Sequence, residues 1–90
     1  MNGNGTQDNH RALFANLVMM LSTSAMQYLG KLANPATGLV ETDIDSAQVI
    51  IDTLVMLQAR SAATLEQSET GMLNDVISSL RQTHAETSAV

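Results

Sequence analysis

Ninety residues make one small domain, because a chain of this length buries only about 60 to 65% of the surface its unfolded form exposes. There is no cysteine, so neither a disulfide framework nor a Cys-ligated zinc can add stability, and oligomerisation is the remaining common device. Four Lys and Arg against nine Asp and Glu leave a net charge of −5, the positives Arg11, Lys31, Arg60 and Arg81 are scattered singly, and only Phe14 and Tyr28 are aromatic; this argues against a nucleic-acid partner, for want of both a phosphate clamp and a stacking platform.

The first ten residues, MNGNGTQDNH, are all small or polar apart from Met1 and cannot bury enough apolar area to offset ordering entropy, so residues 1–10 are expected to be a disordered arm. The domain proper is placed at residues 11–85, and ETSAV, residues 86–90, reads as a frayed tail. From Ala12 to Leu29 the positions Phe14, Leu17, Val18, Leu21, Ala25, Tyr28 and Leu29 recur at spacings of three and four, which is one face of a helix. A second apolar set, Leu13, Met19, Met20 and Met26, lies outside that stripe, and no charged residue occurs from Ala12 through Gly30.

The segment GKLANPATG follows. Gly30 suits the left-handed residue that ends a helix, Asn34-Pro35 sets up a type I turn, and Gly38 supplies a positive φ on the way out. A second helix begins at Thr42 or Asp43, either of which can cap it, with a stripe of Ile44, Ala47, Ile50, Ile51, Leu54 and Leu57 widened by Val49, Val55 and Met56. Thr64-Leu65-Glu66-Gln67 has the form of a capping box, which places Thr64 as the cap of a third helix whose stripe is Leu65, Met72, Leu73, Val76, Ile77 and Leu80. The pattern is all-α: a three-helix antiparallel bundle with an unstructured N-terminal arm, completed by oligomerisation.

Candidate chemistry is sparse. Gly30-Lys31 has the Gly-Lys pair of a phosphate loop, but Leu32 stands where Ser or Thr should ligate magnesium, and the preceding segment is a helix. Asp43 and Asp45 fall in a helix's first turn, where acids are ordinary, and a metal site wants three or more converging oxygens. His10 and His84 stand near opposite termini in no ligand or triad spacing and read as surface residues. No catalytic residue, cofactor or metal site is expected, and the protein is not read as an enzyme. The methionines at 19, 20, 26, 56 and 72 serve either as core filler or as an adaptable binding surface. The uncharged run is close to a membrane-spanning length, but Asn16, Ser22-Thr23-Ser24 and Gln27 would sit in hydrocarbon. A secretory signal would need a shorter and more basic start than one containing Asp8.

The order Phe14, Leu17, Leu21, Ser24-Ala25, Leu29-Gly30, Pro35, Thr37-Gly38, Ala47, Ile51-Asp52, Leu54, Leu57, Arg60, Leu65, Glu69, Leu80-Arg81 resembles that of the small bacterial domain of unknown function eighteen-forty-four. Its most specific pieces are LG, then P-x-TG, then ID-x-L-x-x-L. The resemblance spans about Leu13 to Arg81 and implies a helical, cytoplasmic bacterial protein with no assigned activity and no site to transfer. It also argues against a signal peptide, since the matched region begins inside the segment that would be removed. Where family members carry a Lys-Thr-Lys-Gly-Asn-Leu-Thr-like passage before the last helix, this chain has RSAATLE from Arg60, which suggests that the cap has moved from the family's threonine position, here Glu66, back to Thr64.

Function is therefore expected to lie in binding. The apolar faces exceed what three helices can hide from one another, which points to a self-associating interaction module, a dimer in the simplest case, with some further, unknown protein partner. The expected contact comprises Leu13, Leu17, Met20, Leu21 and Met26 of the first helix and Val55 of the second, with Ala15, Ser22 and Ala25 permitting close approach. The alternatives are a peripheral lipid-contacting protein, which the net charge of −5 opposes, and a small-ligand binder.

Overall fold

The computed structural model describes residues 3–89, with side chains from Asn9 to Ala89. Three helices follow one another, α1 Gly3–Tyr28, α2 Ile44–Ser61 and α3 Gln67–Ser88, and a longer connection, 29–43, and a short one, 62–66, fold them into an antiparallel bundle. Each helical stretch brings one stripe inward at spacings set by the α-helical repeat: Val18, Ala25 and Leu29 from α1 and its end, Ala47, Ile51 and Leu54 from α2, and Leu73, Ile77 and Leu80 from α3. These side chains are fully buried, and Phe14, Leu21, Met26, Ile44, Ile50, Val55, Leu65, Met72 and Val76 pack around them. The middle helix, α2, packs extensively on both neighbours, whereas α1 and α3 meet each other much less.

The α1–α2 corner is built from backbone geometry. Gly30 has φ +76° and closes α1 with two bonds, Gly30 N–H to the Gln27 carbonyl at 3.0 Å and Lys31 N–H to the Met26 carbonyl at 2.9 Å, the paired pattern of a Schellman end. Asn34 then organises the turn. Its side-chain oxygen accepts from Ala36 N–H at 2.9 Å, and its carbonyl accepts from Thr37 N–H at 3.2 Å and Gly38 N–H at 2.7 Å, with Pro35 at the second position. Gly38 has φ +73°. An isolated antiparallel bridge joins Leu29 to Thr42, and the Asp43 N–H donates to the Tyr28 carbonyl at 2.7 Å, so the loop returns onto the end of the helix it left.

The structure differs from the sequence reading at both ends. The backbone is helical from Gly3, through most of the segment expected to be an unstructured arm, and α3 continues to Ser88 into the expected tail; residues 1, 2 and 90 lie outside the described residues. Extending an existing helix adds one hydrogen bond for each residue fixed, so a docked α1 can propagate into polar sequence that would not nucleate a helix alone. Of the two residues expected to cap α2, Asp43 is the N-cap, and Thr42 holds the bridge to Leu29. The cap of α3 differs. Glu66, not Thr64, is the N-cap of α3, and its N–H donates to Glu69 Oε1 at 3.0 Å. Thr64 is drawn back into the preceding turn, where its N–H and its hydroxyl both donate to the Ser61 carbonyl, at 2.9 and 3.0 Å.

The two corner glycines are expected to respond differently to substitution. A Cβ on Gly30 would lie 2.7 Å from Thr42 Oγ1 and would also be strained by the positive φ, whereas a Cβ on Gly38 meets nothing within 4 Å and is opposed by φ alone. Gly30→Val therefore lowers the melting temperature more than Gly38→Val, and Gly38→Asn recovers most of the latter loss because Asn tolerates the left-handed region. Thermal denaturation of the three variants measures this ordering.

Candidate functional site

One flank of α1 left uncovered by α2 and α3 is apolar, while the side opposite the core carries the exposed Asn16 and Thr23. Leu13, Leu17 and Met20 are 56, 42 and 67% exposed and follow one another at spacings of four and three, so they form a single stripe roughly a third of a turn from the buried Val18–Ala25 line. Ser24, half-buried, continues the stripe, and Tyr28, exposed, ends it. Met19 is exposed on the opposite flank of the core stripe. The expected contact set thus divides: Leu13, Leu17 and Met20 are open, while Leu21, Met26 and Val55 are half-buried and packed against the chain's own core. Two residues assigned to the inner stripe, Leu17 and Tyr28, face outward, and Ala25 is fully buried, with Ala15 and Ser22 half-buried, so this small trio does not lie on the open face. The cause is the long uncharged run itself. Two apolar stripes overlap within it, and only the position of α2 decides which one turns inward.

Elsewhere, exposed apolar side chains are interrupted. On α2, Val49 and Met56 are exposed opposite the buried stripe, but Asp45, Asp52 and Arg60 stand among them, and Asp52 accepts a hydrogen bond from the Gln48 amide at 2.9 Å. Leu32, Leu39 and Val40 are exposed on the α1–α2 loop.

Hollows occur at two places among the described residues, at the α2–α3 corner and beside the end of α1. At the α2–α3 corner a cleft of about 390 Å³ is lined by His10, Arg11, Phe14, Ser61, Thr64, Leu65, Glu66 and Glu69. Arg11 forms an ion pair with Glu66 across it, so α1 is tied to the first turn of α3, and Glu69 is occupied by the Glu66 N–H. Both carboxylates thus take part in local contacts at the start of α3. The second hollow, about 520 Å³, is lined by Lys31, Thr42, Glu86 and Thr87. Among the described residues no group of three or more His, Cys, Asp and Glu is placed to hold a metal ion.

His84 departs from its surface assignment. It follows Leu80 by four residues, continues the buried stripe of α3, and is half-buried, with an Nε2 that has no hydrogen-bond partner among the described residues. The pattern 73, 77, 80, 84 was present in the sequence and identifies this position as core-facing. His10 is exposed.

Asp43 is the acid with a clear local task. Its Oδ2 accepts from the Ser46 hydroxyl at 2.8 Å and its Oδ1 from the Ser46 N–H at 3.1 Å, and these bonds, the hydroxyl first, hold its carboxyl below the usual carboxylate value. A folded-state pKa below the unfolded one stabilises the fold above the unfolded pKa of about 3.9, and this contribution disappears as the pH falls through the lower, folded value. Asp43→Asn should keep most of the cap at neutral pH and flatten the acid limb of the stability profile, which denaturant melts between pH 2 and 7 would measure.

A family model described as Domain of unknown function (DUF1844) matches residues 11–86. No curated protein and no solved structure matches the chain significantly.

Proposed function

The chain belongs to the DUF1844 family, a domain of unknown function, so membership carries no activity with it, and we propose that the protein is a self-associating protein–protein interaction module of the bacterial cytoplasm without catalysis of its own. The observation that carries this reading is the open Leu13–Leu17–Met20 stripe on a helix whose other side is already used by the core.

The shape of the domain supports the same reading. It measures 50 × 26 × 16 Å, and its smallest dimension is about one and a half helix diameters, because α1 and α3 close little against each other. The radius of gyration, 14.8 Å, exceeds the roughly 12 Å of a compact chain of this length. The accessible surface, 5965 Å², exceeds the roughly 5,100 Å² typical of a folded monomer of this mass. A second copy on α1 would remove part of that excess. Covering the three stripe residues on both copies would take on the order of 600 Å² of apolar surface from water. Association itself costs about 4 to 15 kcal/mol, which places the assembly in a concentration-dependent regime. A lipid surface is a weaker candidate, because no basic residue flanks the stripe between Ala12 and Gly30 and the net charge is −5. No helix among the described residues is long and apolar enough to cross a membrane.

Light scattering coupled to size exclusion at tens of micromolar tests the reading: a dimer mass is expected, and a species of 9.6 kDa would overturn it. Met20→Glu alters a side chain outside the core and should give a monomer with unchanged helicity.

A further inference from the structure

Resting on the self-association reading, we infer that the two α1 helices pair antiparallel across a two-fold axis, with Leu17 of each copy against Met20 of the other and Leu13 over Ser24. Three features of the chain determine this orientation.

The first is spacing. His10, Leu13, Leu17, Met20, Ser24 and Gln27 alternate by three and four, the seam of a short coiled coil. In an antiparallel seam the two kinds of position face each other, which sets Leu17 on the partner's Met20, Leu13 on the partner's Ser24 and His10 on the partner's Gln27. Ser24 is the small residue of the seam and gives the large Leu13 room. A parallel seam would place each residue on its own copy, so that Ser24 faces Ser24 and leaves a gap beside the apolar contacts.

The second is charge. Where α1 ends, Lys31 and Glu86 line one hollow, and the N–H of Asp43, which has Glu41 and Asp45 close by in sequence, donates to the Tyr28 carbonyl, so acids outnumber bases there. At the other end, Arg11 is paired with Glu66, and Glu69 lines the same cleft. Parallel pairing would bring the two acidic ends within about one Debye length of each other, and antiparallel pairing moves them about 28 Å apart along the helix.

The third is the helix dipole. Antiparallel helices set the positive end of each beside the negative end of the other, a favourable arrangement that parallel helices reverse. From His10 to Gln27 the seam runs about 26 Å, long enough for a helix pair to cover the roughly 1,000 Å² that a specific interface needs.

The absence of native cysteine makes the orientation readable by single-cysteine cross-linking in the full chain. Light scattering first establishes that each variant associates. Mild oxidation of Leu17→Cys mixed with Met20→Cys, and of Leu13→Cys mixed with Ser24→Cys, is expected to give covalent mixed dimers as the main product. Leu13→Cys alone is expected to give little, since its two copies would be offset by about 16 Å along the axis, well beyond disulfide reach. Efficient cross-linking of Leu13→Cys with itself and none with Ser24→Cys would show a parallel pair and overturn the inference while leaving self-association intact. A dimer that cross-links in none of these combinations would place the contact elsewhere and overturn the inference too. A monomer in every case, wild type included, would overturn the self-association reading on which it rests.

Discussion

Burial on α2 is the constraint that the rest of the structure obeys. With no disulfide and few aromatic rings, stability has to come from aliphatic side chains, and Ala47, Ile51 and Leu54 present the one stripe placed between both other helices. Ala47 near the α1–α2 corner is small, as is the buried Ala25 of α1, so the two backbones can come close at that end, while Ile51 and Leu54 fill the middle. Because α2 takes the central place, α1 and α3 each have one covered side and one open side. On α3 the open side is polar, carrying Asn74, Asp75, Ser78, Arg81 and Gln82, all exposed. On α1 it is not. The candidate function therefore arises from the position of α1 at the edge of the bundle and from its lack of charge.

The corners and caps keep that arrangement in register. Gly30 ends α1, Asn34 and Gly38 turn the chain, and Asp43 starts α2, while the Arg11–Glu66 ion pair ties α1 to the start of α3. Gln58 also donates to Asn74 between α2 and α3. Within the segments GKLANPATG and Asp43–Asp45, Gly30, Asn34, Gly38 and Asp43 serve the corner and the start of α2, and the carboxylates of the corner cleft make local contacts.

Much of the fold was legible in the sequence because α2 and α3 each carry a single dominant stripe bounded by polar residues: Ile44, Ala47, Ile51 and Leu54 on one, Leu73, Ile77 and Leu80 on the other. The glycines were legible because a positive φ has few other solutions. α1 was less so. Leu17 and Val18 are one residue and about 100° apart, both lie in apolar series, and local pattern cannot say which series α2 will cover. The Glu66 cap was hidden by the stronger capping preference of threonine at position 64, which a tertiary contact with Arg11 offsets. The inward position of His84 was visible as the next step of the α3 stripe, but its residue type suggested the surface.

The claim at the centre of this account is that α1 is stabilised by a second copy, and the dependence of the melting temperature on protein concentration tests it most directly. A partner that binds only the folded state stabilises it by mass action, about 2.7 kcal/mol at a hundred times its dissociation constant, which for a domain this small corresponds to several degrees. Over a hundredfold range of concentration extending above tens of micromolar, the account predicts a melting temperature that rises by several degrees. A melting temperature that stays constant over that range would contradict it.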